Sequence, residues 1–200
     1  VWFALLRWVN ETKGVAPGLD LHDDKEFDVG AVCAVRDALW ADPALLDAFV
    51  ATNPARLSET ELALVAPWRL RRKGTFVVLR ELVKHAIVID GERAGTVYAV
   101  HGISHPLSAM LPWLPCMVDG VLLPFLGRII FDGFLRSYPV HLGPGMRRRF
   151  DEDYRRAKAT LVTRLGDVTP VHVATITLPR SSGVAPANDV SAAPAKKKPA

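Results

Sequence analysis

The spacing of hydrophobic positions in this chain changes character about a third of the way along. From Trp2 the apolar residues recur at helical intervals: Trp2, Leu5, Leu6 and Val9 fall on one side of a segment that carries Arg7, Asn10 and Glu11 elsewhere. Gly14 ends this helix, Pro17-Gly18 turns the chain, and Leu19 to Asp28 reads as an acidic loop. Val29 to Trp40 predicts a second helix. Pro43 suits the first turn of a third, short one carrying Leu45, Leu46 and Phe49, which Asn53-Pro54 stops. Ser58-Glu59-Thr60-Glu61 has capping-box spacing, so a fourth helix runs from there to about Ala66.

At Trp68 the period shortens. Gly74 leads into TFVVLREL, then HAIVID, then TVYAVHGI, each short and rich in β-branched residues as strands are. His105 to Pro115 is a proline-marked loop or short helix. Val118 to Leu123 is a further strand, with Pro124 to Gly127 turning the chain, since Pro124 has no donor for a ladder. Ile129 to Phe131, then Asp132-Gly133, then Phe134-Leu135 predicts a hairpin with Phe131 opposite Phe134, because Asp-Gly supplies the positive φ of a type I′ turn. Arg136 to Leu142 continues its second arm, with Pro139 at an edge or bulge. Phe150 to Arg164 predicts a terminal helix with Asp151, Glu152 and Asp153 in its first turn. Val171 to Leu178 alternates like an edge strand, and the Ser, Pro, Ala and Lys composition from Arg180 onward predicts disorder.

The expected fold class is therefore α+β. N-terminal helices (1–67) pack on an antiparallel meander or small barrel of about six strands with a C-terminal helix (68–179), followed by a disordered tail (180–200). The segments Met117-Val118-Asp119, Leu122 to Phe125, Gly127 to Gly133, Ser137-Tyr138 and Gly145 to Arg148, followed by Tyr154 and Ala157-Lys158, resemble an uncharacterised family of prokaryotic α+β proteins over roughly residues 40–160. The resemblance implies the domain and no activity.

Two hundred residues, half of them hydrophobic, suit one domain or one with a smaller companion. Cys33 and Cys116 are too few for a disulfide framework and lack metal-ligand spacing, so a reducing, cytoplasmic setting is the expectation. The chain opens at Val1 in what reads as mid-helix, which puts the true start upstream. Arg7 interrupts the apolar run that a signal peptide would need. Ser108 to Gly127 is long enough to span a bilayer, but Pro112, Pro115 and Pro124 argue against a continuous helix, so no membrane contact is expected.

Charge changes the picture once it is divided. Residues 1–67 hold 5 basic and 11 acidic side chains, residues 68–179 hold 16 and 9, and residues 180–200 hold 4 and 1. The halves either neutralise each other or leave a basic region for an anionic partner, nucleic acid or acidic protein. The anion-binding candidates are Arg72, Lys73, Arg147, Arg148, Arg149 and Arg155, with Trp68, Phe76 or Tyr138 as stacking aromatics. Arginines just after Gly143-Pro144-Gly145 sit badly with a helix dipole. Either an anion rests there, or the helix begins nearer Phe150 and the arginines belong to the loop, which is the favoured reading.

Signals for catalysis are thinner. His101 and His105 are spaced i, i+4, yet His101 reads as strand-borne and Pro106 follows at once, so no metal and no cofactor is expected. Ser104 and Ser137, with His105 or His141 as base, lack a nucleophile elbow. Asp119 interrupts an apolar run and calls for a partner, with Arg128 the expected one. The favoured reading is a non-catalytic interaction module with a basic face. The alternatives are a metal-dependent or carboxylate-based hydrolase using Asp119, His101 and His141, and a structural protein whose halves satisfy each other.

Overall fold

The computed structural model describes residues 1–21 and 28–166, so the strand expected at 171–178 and the tail from 180 lie outside the described residues. Four helices come first: α1 (Trp2–Lys13), α2 (Val29–Ala41), α3 (Pro43–Thr52) and α4 (Glu59–Val65). Their ends are set by local chemistry. Gly14 closes α1 at φ 62. Asp28 accepts from the Gly30 and Ala31 amides at the head of α2. Asp42 does the same for Ala44 ahead of Pro43 in α3. The capping box of α4 is complete, the Ser58 amide donating to Glu61 at 2.9 Å and the Glu61 amide to Ser58 Oγ at 3.3 Å. Such a cap contributes on the order of 1 kcal/mol. The chain then runs through a 3-10 turn, Ala66–Leu70, which buries Trp68.

Six strands follow: β1 (Arg72–Glu81), β2 (Ala86–Asp90), β3 (Val97–His101), β4 (Cys116–Phe125), β5 (Arg128–Phe131) and β6 (Arg136–Ser137). Their order is β1-β2-β3-β5-β4-β6, and β1 also pairs with β4. That second pairing joins β1, β2, β3, β5 and β4 into a closed ring, so the meander is a barrel. β1 serves both neighbours, β4 through Arg72–Val78 and β2 through Phe76–Glu81, with a bulge between Val78 and Arg80. A bulge adds the local twist that lets one strand curl from one partner to the next. β3 and β5 are parallel, Val100 beside Ile129, and every other pair is antiparallel. A five-stranded barrel in this order, closed between its first and fourth strands, has the topology of the OB-fold. That is a likeness of strand order, and strand order assigns no activity.

The period of two along each strand separates three packed regions. Phe76, Val78, Val88, Tyr98, Val100, Val118, Leu122 and Ile129 fill the barrel. On the outside of β4 and β5, Val121, Leu123 and Ile130 join one cluster with Leu5, Leu6, Val35, Leu39 and Phe49 of the helices. On the outside of β1 to β3, Val77, Leu79, Ile87, Ile89 and Val97 are covered by Phe150, Tyr154 and Ala157 of α5 (Pro144–Ala157). The leading helices and α5 therefore clasp opposite sides of one barrel.

Three local expectations are overturned, while the turn expected within Pro124 to Gly127 is present at its second half. The hairpin turn lies at Leu126-Gly127, where φ is 48 and 74, and joins β4 to β5; Phe125 stands opposite Arg128. Both central residues have the positive φ of a type I′ turn, and here Leu126 tolerates it beside the glycine. Asp132-Gly133 instead lets the chain leave β5, so Phe134 packs toward the helices and β6 pairs with β4. Pro124 lies inside β4 at the level of Ile129 rather than in a turn, and β6 ends at Ser137, well short of Leu142.

Candidate anion-binding surface

α5 begins at Pro144, with Gly143 as an N-cap that offers no side chain, and its first turn holds no acid. The start nearer Phe150 is thus corrected: Arg147, Arg148 and Arg149 are helical residues close to the positive end of the dipole. At 100° per residue, Phe150, Tyr154 and Ala157 form the stripe on the barrel, which puts Glu152 opposite it with Arg148 and Arg155 beside Glu152 on the outer face. Those two lie seven residues apart, roughly 10 Å along the axis, with Arg149 and Arg156 flanking.

The acids of this helix are mostly committed. Asp151 holds Arg80 of β1, and Asp153 holds Arg156 at 2.5 Å. Arg147 donates its Nε proton to the Leu142 carbonyl at 2.9 Å. Arg148, Arg149 and Arg155 are exposed and make no ion pair or hydrogen bond through their side chains among the described residues.

The earlier basic run behaves differently. Arg71 lies over the Trp40 ring at 5.1 Å, and burial lowers its pKa. Arg72 faces the barrel mouth with a side chain only 13% exposed, and grips Asp90 through Nε at 2.9 Å and an η nitrogen at 2.8 Å, with Glu92 at 2.9 Å. Burial opposes its charge, but the two carboxylates outweigh burial and raise its pKa. Asp90 also accepts from the Tyr98 hydroxyl at 3.0 Å and from the Glu92 and Arg93 amides, so the mouth is plugged by a satisfied polar network. Arg72 was a candidate for anion binding; its fork is filled by the barrel's own acids. Alternation along β1 turns it inward. Arg80, which anchors α5, is eight residues further along the strand, roughly 26 Å if fully extended.

Lys73 points outward into an open cleft of about 390 Å³ that Arg36, Asp37, Thr75, Glu92, Asp119 and Arg136 also line. Here Asp119 accepts from Thr75 Oγ1 at 2.7 Å and from the Tyr138 hydroxyl at 2.6 Å, and that bond raises the Tyr138 pKa. Arg128, its expected partner, stands exposed at the β4–β5 turn instead. His101 lies beside His85, their rings 5.7 Å apart, at an open pocket of about 500 Å³ bordered by Ser104, His105, Met110 and Phe131. Burial first, then Arg128, lowers the His101 pKa. His141 lies elsewhere, stacked on Trp113. Asp119, His101 and His141 thus make no contact with one another, and no group of three or more His, Cys, Asp or Glu among the described residues is placed to hold a metal.

Of the stacking aromatics expected from sequence, Trp68 and Phe76 are buried and Tyr138 is tied to Asp119. The exposed aromatic contact is the Trp113–His141 stack, ring centroids 4.2 Å apart and planes 28° from parallel. Twenty-eight residues of chain separate the two, so no local signal could pair them. Sequence reading also gave Asp132 to a turn. Its carboxylate is buried, accepts from Trp40 Nε1 at 2.9 Å, and lies 3.7 Å from Arg36, joining the helices to the barrel. Burial pushes its pKa up to about 6, against the pull of Arg36 and Trp40.

No family model, curated protein or solved structure matches this chain. No described helix is long and apolar enough to cross a membrane.

Proposed function

We propose that the protein is a non-catalytic interaction module that holds an anionic partner, nucleic acid or an acidic protein, against the outer stripe of α5. One observation carries the reading: Arg148, Arg149 and Arg155 are exposed and form no ion pair among the described residues, on a helix whose own aspartates serve Arg80 and Arg156. Arginine forks left without carboxylates are matched in geometry to phosphate or carboxylate groups. The outside of β1 to β3 is covered by α5, which leaves the outer stripe of the helix as the exposed basic surface on that side.

Mutual neutralisation of the two halves has less support. Between described residues, two pairs join a base of the barrel half to an acid of the leading helices, Arg69–Asp47 at 3.8 Å and Lys73–Asp37 at 4.0 Å. Both are exposed, and such pairs contribute at most about 1 kcal/mol.

The test is binding to a mixed-sequence oligonucleotide across a salt series. Contacts from Arg147, Arg148, Arg149 and Arg155 give a slope of log K against log salt of about −3 on a single strand. A flat response removes a nucleic-acid partner, and a flat response to polyglutamate as well removes the reading altogether.

A further inference from the structure

The module described above leaves open which anionic partner it takes, and the Trp113–His141 stack bears on that choice. Trp113 packs against the cluster that fills the barrel, and His141 lies on it as an exposed ring. His141 has no other ring contact, hydrogen bond or ion pair among the described residues. The next residue, Leu142, is 3% exposed and anchored in the cluster under α5. The Leu142 carbonyl, on the residue after His141, receives the Nε proton of Arg147 at 2.9 Å. The stacked rings thus stand one residue before the carbonyl that holds Arg147, at the entry to the arginine-bearing turn of α5.

We infer that this platform takes an unpaired nucleobase on the open face of His141, with the flanking phosphates on Arg147 and Arg148, so that the partner is single-stranded nucleic acid. The inference rests on the anionic-partner reading and narrows it. A duplex keeps its bases stacked inside and offers only phosphates, whereas a single strand offers both. An acidic protein also supplies carboxylates for the arginines but has no general need of an aromatic ring beside them. Histidine, like tyrosine and tryptophan, accepts a base on its face whatever the base. Binding is therefore sequence-tolerant and selective for strand state.

The experiment measures binding of labelled oligothymidylate, the corresponding duplex and polyglutamate to the wild type, His141→Ala, His141→Tyr and Arg148→Gln/Arg155→Gln. Oligothymidylate is expected to bind the wild type more tightly than the duplex does. His141→Ala is expected to weaken oligothymidylate by roughly tenfold and leave the duplex unchanged, because one stacked base is lost. His141→Tyr, which keeps a ring, restores the affinity. The platform is overturned if His141→Ala binds oligothymidylate like the wild type while the double arginine variant does not; the basic face then survives alone. Arginine-dependent binding of polyglutamate without oligonucleotide binding overturns the platform and leaves an acidic protein as the partner. Binding of none of the three overturns both readings.

Discussion

The chain has two arginine-rich runs, and the fold treats them in opposite ways. In the first, Arg71 and Arg72 turn toward the protein, one onto Trp40 and the other into the carboxylates of Asp90 and Glu92. In the second, Arg148, Arg149 and Arg155 turn toward solvent beside Glu152, and none of the three forms an ion pair among the described residues. The difference comes from the element each run joins. A strand at a barrel mouth directs every other side chain inward, so Arg72 meets the interior that Phe76 and Val78 fill further along. A helix lying on a barrel buries one stripe and presents the rest, and Phe150, Tyr154 and Ala157 claim that stripe on α5. A count of charges along the sequence treats the two runs alike; the geometry makes one structural and leaves the other free.

The largest effect should come from the inward run. Replacing Arg72 with Leu leaves the Asp90 side chain, which is fully buried, facing Tyr98 and two amides without a cation. Breaking a buried pair in this way costs about 3–5 kcal/mol, to be read from the urea midpoint. A loss below 1 kcal/mol would mean that Arg72 is as dispensable as a surface residue, and the contrast between the runs would fail.

Asp132 supplies the next test, at the seam between helices and barrel. Its carboxyl keeps its proton in the fold up to about pH 6, whereas the unfolded chain releases it near the ordinary carboxyl value. The unfolded state therefore binds fewer protons across that interval, and the stability due to the raised pKa, present below about pH 4, is lost as pH rises through about 6. Relative to Asp132→Asn, which still accepts from Trp40, the wild type should lose on the order of 2–3 kcal/mol over this range. Parallel pH profiles for the two proteins would show that Arg36 keeps Asp132 ionised in the fold. Asp132→Ala, which leaves the buried Trp40 Nε1 without its acceptor, should cost about 1–3 kcal/mol more than Asp132→Asn, and that difference should not depend on pH.

The outward run should give the smallest change in stability. Arg148→Gln and Arg155→Gln remove no ion pair or side-chain hydrogen bond among the described residues, so each should stay within about 0.5 kcal/mol of the wild type in urea. Each should also reduce the salt slope of single-strand binding by roughly 0.7.

How much of this was legible follows from how far apart the interacting residues lie. Ser58 with Glu61, Pro43 in the first turn of α3, and Gly14 act within a few residues, and sequence places all of them correctly. The strands from Thr75 to His101 are likewise announced by their own composition. What sequence misplaces depends on distant partners. Asp132-Gly133 carries the local pattern of a type I′ turn, yet Trp40, 92 positions away, takes the carboxylate; the turn that joins two paired strands is the one at Leu126-Gly127, within the Pro124 to Gly127 turn read from sequence. The parallel pairing of β3 with β5 and the closure of β1 on β4 leave no local trace, so a meander and a barrel read alike. The candidate surface was half visible: Arg147, Arg148, Arg149 and Arg155 were named from the sequence, but only the buried stripe of α5 shows which way they face. Arg72 reads from sequence like the other arginines because its acceptor, Asp90, is brought to it by the fold. Trp113 and His141 were read separately because only the folded barrel stacks them.

The contrast between the runs is tested most directly by one variant measured in two ways: Arg148, Arg149 and Arg155 all changed to Gln, with urea stability and oligothymidylate binding followed in the same buffer. The account predicts a stability change of no more than about 1 kcal/mol together with loss of most of the salt-dependent affinity. Unchanged binding, or a collapse in stability comparable to that of Arg72→Leu, would contradict it.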